Sequence, residues 1–451
     1  MVHAFESMGV YIALDVESGA AYRVDELVYD LLRGWDQGPE QASARLAGKY
    51  EPTQLQEAVQ EIQALIDQGA LFSPAVDYSD RMGKGDGAVK AMCLHAAHDC
   101  NMRCAYCFAE TGEYQGERCL MDAATGKAAL DWLMAHSAKR QSLEVDFFGG
   151  EPLMAWGAVK ETVAHGRKLE QGTDKRFHFT ITTNALGLND EVTQFLNREM
   201  DNVVISIDGR QETHDRMRPL PNGKGSYDLV LDHARRFVAT RGDKQYYVRG
   251  TFTRHNLDFT QDVKCLYDNG FREISIEPVV ASPEVPYSLT EAELPAVMAE
   301  YDRLAHYYRR VSQSDDPFRF FHFMLDLSQG PCIIKRLTGC GAGNEYVAVT
   351  PKGDIYPCHQ FVGQADFKMG NVHEGTFDTR MQARFAANHV LNKPECMDCW
   401  AKYYCSGGCS ANAWQFRGDI SLPYKLGCEM EKKRLECAFA LHVLAGEKEE
   451  A

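Results

Sequence analysis

The stretch Asp99-Cys-Asn-Met-Arg-Cys-Ala-Tyr-Cys-Phe108 sets three cysteines, Cys100, Cys104 and Cys107, in a C-x3-C-x2-C run. Three thiolates this close together hold three corners of a [4Fe-4S] cube, which wants four ligands, and no fourth cysteine follows at a short, regular spacing. One iron is left open to a small molecule. The competing reading is a zinc site or incidental core cysteines. Structural zinc sites, however, are closed and usually assemble two C-x2-C halves, whereas this incomplete set ends an apolar strand-like run, Met92 to Ala97.

Outward from that run, to about Val280, strand-like apolar segments alternate with helical ones. The segments are Met92 to Ala97, Leu143 to Phe148, Phe177 to Thr183, Val203 to Ile207, Tyr246 to Phe252 and Ile274 to Pro278. Six such units predict an α/β fold with a helix-covered parallel sheet, bent toward a partial (β/α)6 barrel whose function lies at the C-terminal strand ends. The cluster cysteines follow the first run. Gly149-Gly150-Glu151-Pro152 follows the second, where glycines let backbone approach a ligand and the acid can accept from an amine. The third ends in Thr182-Thr183-Asn184, the fourth in Ser206-Ile-Asp208-Gly209 ahead of His214-Asp-Arg-Met-Arg218, and the fifth carries Arg249. Alone, a GGE is usually a turn and an SxDG a strand-terminal loop; their joint order is the signal.

The C-x3-C-x2-C run and this ordered set resemble the radical S-adenosylmethionine (radical SAM) enzymes. In that family the open iron binds the amine and carboxylate of the cofactor, and the reduced cluster cleaves it to a 5′-deoxyadenosyl radical. The resemblance implies that Gly149, Gly150 and Glu151 contact the methionine amine, that Ser206 and a following arginine contact carboxylate and ribose, and that Tyr106 lies near the adenine. Asn184, Arg218 and Arg249 are the remaining candidates for the cofactor site; arginine suits a carboxylate through its bidentate fork.

A second cysteine region follows. Cys340 precedes Gly353 by twelve intervening residues and Cys358 by four more; then come Cys396-x2-Cys399-x5-Cys405-x3-Cys409, and Cys428 after a gap of eighteen. Seven thiolates cannot complete two four-ligand clusters. The pattern resembles SPASM domains, which implies a distal auxiliary [4Fe-4S] cluster on Cys396, Cys399, Cys405 and Cys428. Cys340, Cys358 and Cys409 then serve a proximal one, with a vacancy or a fourth ligand such as Cys332. With the first site this makes three [4Fe-4S] clusters. Cys93, Cys119, Cys265 and Cys437 match no ligand pattern and read as buried structural thiols.

The first eighty residues have a different texture. Tyr11 to Val16 and Ala21 to Val24 flank Glu17-Ser-Gly-Ala20 as a hairpin, and Leu55, Val59, Ile62 and Ile66 form one helical stripe ending at Gly69. A strand pair followed by three short helices is similar to the PqqD-like recognition element, a winged-helix module that adds a leader peptide as an edge strand. We therefore expect the PqqD-like domain at residues 1–75, a linker at 76–90, the radical SAM core at 91–310 and the SPASM domain at 311–451. The 451 residues carry fifteen cysteines and a net charge of −16, with no charged-then-apolar leader and no uninterrupted apolar stretch near the roughly 20 residues that span a bilayer. These features place the chain in the cytoplasm, away from membranes and from nucleic-acid phosphates.

The three parts together resemble ribosomal peptide maturases. The segments Leu94 to Glu110 and Leu143 to Met154 resemble those of the maturases of SCIFF peptides, which are small and cysteine-rich, and which join a peptide cysteine sulfur to a threonine carbon. That implies a leader-bearing precursor peptide and a low-potential donor, flavodoxin or ferredoxin, as partners. Anaerobic sulfatase maturases, which make formylglycine, share the core and SPASM region but need no leader module. A non-catalytic iron-sulfur electron carrier would need no GGE, SxDG and arginine set.

Overall fold

Alternation with a period of two shapes the central sheet of this protein, whose computed structural model describes residues 1–82, 86–114, 116–325 and 333–446. Three strands come first: β1 (Val2–Ser7), β2 (Val10–Asp15) and β3 (Ala21–Val24), antiparallel in that order. The sequence predicts only the second and third. β1 enters through a tight turn in which Met8 and Gly9 both take positive φ, and a methionine at the first turn position hides the usual Asn-Gly or Asp-Gly hairpin signal. Helices α1 (Glu26–Leu32), α2 (Pro39–Arg45) and α3 (Pro52–Asp67) follow, and α3 buries Leu55 and Ile62 as the stripe predicts.

The six expected strands of the core are all present as β4 (Ala91–His98), β6 (Ser142–Gly149), β7 (Arg176–Thr183), β8 (Asn202–Ser206), β9 (Gln245–Phe252) and β10 (Glu273–Pro278). They pair in parallel in chain order. The short β5 (Cys119–Leu120) runs antiparallel beside β4. Beyond β10 lies β11 (Arg319–Phe320), also parallel, and beyond β4 lies β12 (Tyr346–Val349), followed antiparallel by β13 (Asp354–Tyr356), β14 (Gly370–Asn371) and β15 (Thr376–Phe377). β11 and β15 are the outer strands and do not pair, so the sheet remains open. The SPASM-like segment thus extends the core sheet directly.

Leu143, Val145, Phe147, Phe177, Phe179, Ile181, Val203, Ile205, Val248, Ile274 and Ile276 form the buried face beneath the helices. Many of the intervening positions are polar, among them Asp146, Thr180, Thr182, Ser206, Arg249, Thr251 and Glu277, although Phe148, Val204 and Tyr247 also face this way. Parallel strands covered on both faces are usually apolar throughout, so this pattern marks a concave, solvated interior. Among the described residues no helix is long and apolar enough to cross a membrane.

The C-terminal helix Lys425–Gly446 ties the parts together. Lys433 pairs with Asp302 of the helix Leu294–Ser312 at 2.6 Å, and Phe439, Ala440 and Leu444 pack under Phe5, Ile12 and Leu14 of the N-terminal sheet. The β2–β3 turn supplies a second tie: Glu17 accepts from Lys402 Nζ and from Tyr403 Oη, both at 2.8 Å, with the charged side chains only 6% and 10% exposed. Removing one partner of a buried pair strands the other charge, at a cost of about 3 kcal/mol. Glu17→Ala should therefore lower the unfolding free energy in urea by about that much; a change below about 0.5 kcal/mol, as at an ordinary surface position, would refute the buried tie.

Candidate functional site

Two backbone contacts fix the loop that carries Cys100, Cys104 and Cys107. Gly150 N donates to Ala97 O at 2.7 Å and Glu151 N donates to Asp99 O at 2.9 Å, so the end of β6 lies directly on the end of β4. A Cβ on Gly149 would land on the Ala97 carbonyl and one on Gly150 on that of Asp99. Gly149 also has a φ of +117°. The glycines are required by this approach. On the loop's other side, Arg103 N donates to Pro219 O and Ala105 N to Met217 O.

The three thiols feel one another's charge, and burial pushes Cys100 up to about 12 and Cys104 to about 11. As free thiols Cys100 and Cys104 favour the protonated form, and the positive charge of a bound metal would favour their thiolates. Met102 N at 3.4 Å and Asn184 Nδ2 at 3.7 Å point at Cys100 Sγ, donors suited to a cluster sulfur. The donor set therefore fits an iron-sulfur cluster.

Around the loop stand the expected cofactor residues. Glu151 is buried; its carboxylate accepts from Thr183 Oγ1 and Asn184 N, both at 2.8 Å, and from Leu153 N, and burial raises its pKa. Asn184 is also held by Asn101 at 2.7 Å. Tyr106 Oη donates to Asp208 Oδ2 at 2.6 Å and accepts from Arg218 Nη1 at 2.8 Å. Among the described residues, buried Arg218 finds no partner for its Nε, and its charge favours the thiolate of Cys104. An unsatisfied guanidinium N–H beside the cluster thiols, the glycine cradle and the carboxylate suit a zwitterionic ligand such as S-adenosylmethionine. Ser206 and Arg249 are register partners on β8 and β9. Arg249 is committed to Glu277 rather than to the loop, and its 45% exposure inside the sheet shows that it lines the solvated interior.

Several residues of that interior were not singled out from the sequence. Asp208 joins Tyr106, Arg218 and Thr251 N. His322 contacts Ser275 and Arg434, and His95 stands 3.1 Å from His98 with its Nε2 unsatisfied. The readable signal was a charge at an inward position of an apolar strand, as at Asp146 and Glu277.

In the second cysteine region, Cys340, Cys358 and Cys409 feel one another's charge, and Cys409 accepts from Ala411 N and Asn412 N at a helix start. His359 packs on Phe108 and Phe148, which sets this trio beside the interior. Cys396, Cys399, Cys405 and Cys428 line a cavity of about 270 Å³, and burial pushes Cys405 up to about 11. These sets fit two further clusters. Cys332 lies outside the described residues. Of the four unassigned cysteines, Cys93 and Cys437 are buried as expected, but Cys119 and Cys265 are half-exposed; β5 lies at the sheet's periphery, and Cys265 contacts Tyr227 and Asn269.

Residues 83–231 match the family of 4Fe-4S single cluster domains, and residues 340–400 match SPASM, the iron-sulfur cluster-binding domain. These matches, with the fold described above, support a radical SAM protein with a SPASM domain. It is 24% identical over 339 residues to the cysteine-type anaerobic sulfatase-maturating enzyme of Clostridium novyi, covering 70% of this chain and 86% of that one. The fold resembles that of anSMEcpe, solved with AdoMet and the Kp18Cys peptide (TM-score 0.66, 18% identity, 79% of this chain and 99% of that). It also resembles Streptococcus suis SuiB, solved with S-adenosylmethionine (TM-score 0.54, 14% identity, 93% and 97%).

Burial raises Asp146 to about 7, so its folded pKa exceeds the ordinary carboxylate value. Its contribution to stability is full below about pH 4 and is lost as pH rises through about 7, by at most about 4 kcal/mol. Asp146→Asn should flatten the pH dependence of the unfolding midpoint between those limits. An unchanged slope would show that Asp146 titrates as an exposed acid.

Proposed function

We propose that this radical SAM/SPASM protein is a peptide maturase that joins a cysteine sulfur to a threonine carbon, a sactionine-type thioether, in a ribosomally made, cysteine-rich precursor of the SCIFF type. The observation that carries the reading is the proximal trio Cys340, Cys358 and Cys409 beside the barrel interior, three described thiols for a four-cornered cluster. A corner left to a substrate thiol would hold that sulfur as thiolate next to the reacting carbon. The relation to enzymes named as maturing a sulfatase supports action on a peptide cysteine.

Bound on Cys100, Cys104 and Cys107, the cluster with S-adenosylmethionine supplies the hydrogen-abstracting radical. The chain does the rest. Gly149, Gly150, Glu151 and Asn184 hold the amino-acid end of the cofactor, Tyr106, Ser206 and Arg218 its carboxylate, ribose and adenine side, and Arg249 with Glu277 orients the peptide in the interior. Phe108, Phe148 and His359 pack together between the two sites. Distal thiols Cys396, Cys399, Cys405 and Cys428 would hold a third cluster that carries away the electron released when the sulfur-carbon bond forms, and a flavodoxin or ferredoxin would deliver the electron that cofactor cleavage consumes. Residues 1–75 would receive the leader along the open edge of β3. A formylglycine-forming role leaves that unit without a task.

Incubating the reconstituted enzyme with reductant, S-adenosylmethionine and a Cys- and Thr-rich precursor should yield 5′-deoxyadenosine and a peptide lighter by two hydrogens per cross-link, with sulfur retained. Loss of sulfur would instead establish formylglycine chemistry. Replacing Cys100, Cys104 and Cys107 together by Ala should abolish cofactor cleavage yet retain about eight irons per chain. Deleting residues 1–75 should cut peptide turnover severely while uncoupled cofactor cleavage continues; equal turnover by the truncated enzyme would remove the leader role. Cys332→Ala separates a permanent fourth ligand from a vacancy. A permanent ligand predicts lost iron or altered paramagnetic signals before peptide is added, whereas a vacancy predicts a signal change only when a thiol-bearing peptide binds.

A further inference from the structure

Lys393 is 1% exposed, and among the described residues it has no carboxylate within ion-pair distance. Its one side-chain hydrogen bond there is Nζ to Gly407 O at 2.8 Å. An ammonium has three donors, and a buried cation without an anion is costly. The Lys393 carbonyl accepts from Cys396 N of the distal set at 2.9 Å, and its amine reaches Gly407, midway between Cys405 of the distal set and Cys409 of the proximal set. The loop that receives it, Cys405-Ser-Gly-Gly-Cys409, carries one ligand of each. Ser406, Gly407 and Gly408 all take positive φ, which turns the Gly407 carbonyl onto the amine. A Cβ on Gly407 would come within 3.1 Å of Lys393 Cδ and 3.3 Å of Nζ, so the bare backbone admits the side chain.

We propose that Lys393 is the shared counter-ion of the two auxiliary clusters and holds both their reduction potentials up. Each thiolate-bound cluster is net negative and becomes more so on reduction, so a fixed cation within reach of both stabilises both reduced forms. This rests on the auxiliary-cluster reading above.

The test is a redox titration of the full-length, reconstituted enzyme followed by electron paramagnetic resonance, with iron analysis, on wild type, Lys393→Met and Lys393→Arg. In Lys393→Met both auxiliary clusters should become at least tenfold harder to reduce, 59 mV more negative for one electron, while the cluster at Cys100, Cys104 and Cys107 is unmoved. Lys393→Arg should stay within that margin of wild type. A fully loaded Met variant with unshifted potentials, or a shift in one auxiliary cluster alone, would overturn the proposal. If the Met variant fails to load auxiliary iron, loading by the Arg variant supports the charge role, and failure of both assigns Lys393 a merely structural one. Wild type holding only about four irons would overturn the cluster reading and this proposal with it, and the iron count alone identifies that case.

Discussion

The approach of Gly149 and Gly150 to the carbonyls of Ala97 and Asp99 is the constraint on which the site depends. It joins the ends of two adjacent parallel strands at van der Waals distance and so fixes the cysteine loop against the sheet. From it follow the position of Glu151, whose carboxylate gathers Leu153, Thr183 and Asn184, and that of Asn184, which reaches back to Asn101 and Cys100. A side chain at either glycine would separate β4 from β6 and scatter the donors around the loop.

Charge is the second organising quantity. Burial raises the thiols at Cys100, Cys104, Cys358 and Cys405, which favours their protonated forms unless a positive charge is brought to them. Burial also holds His98 and His359 down to about 4 and His322 to about 3, leaving neutral imidazoles around the interior at physiological pH. Among the described residues, Arg218 is paired there with Asp208 and Arg249 with Glu277.

Packing links sites that are far apart in sequence. Trp400, Tyr403 and Tyr404, all between Cys399 and Cys405, touch the N-terminal sheet: His3 stacks on Trp400 at 4.0 Å, and Glu17 binds Tyr403. The loop that lines the distal cavity is thus held partly by the first strands of the chain, which places the N-terminal unit and the cysteine-rich region in one mechanical assembly.

Much of this protein is written locally. Cysteine spacing needs no tertiary context, so Cys100, Cys104, Cys107 and the seven cysteines from Cys340 to Cys428 were legible, and so were the six core strands, whose buried apolar positions recur every two residues. β1 was missed because Met8 occupies a left-handed turn position that rarely admits it. Only the tertiary structure decided how the elements meet: that β12 continues the sheet beside β4, and that Tyr106, Asp208 and Arg218 form one network across 112 residues. It also placed Lys393 between two cysteine sets. The physical reason is that spacing along a chain records which atoms can share a ligand, whereas burial and charge compensation depend on segments that pairing and packing bring together from far apart.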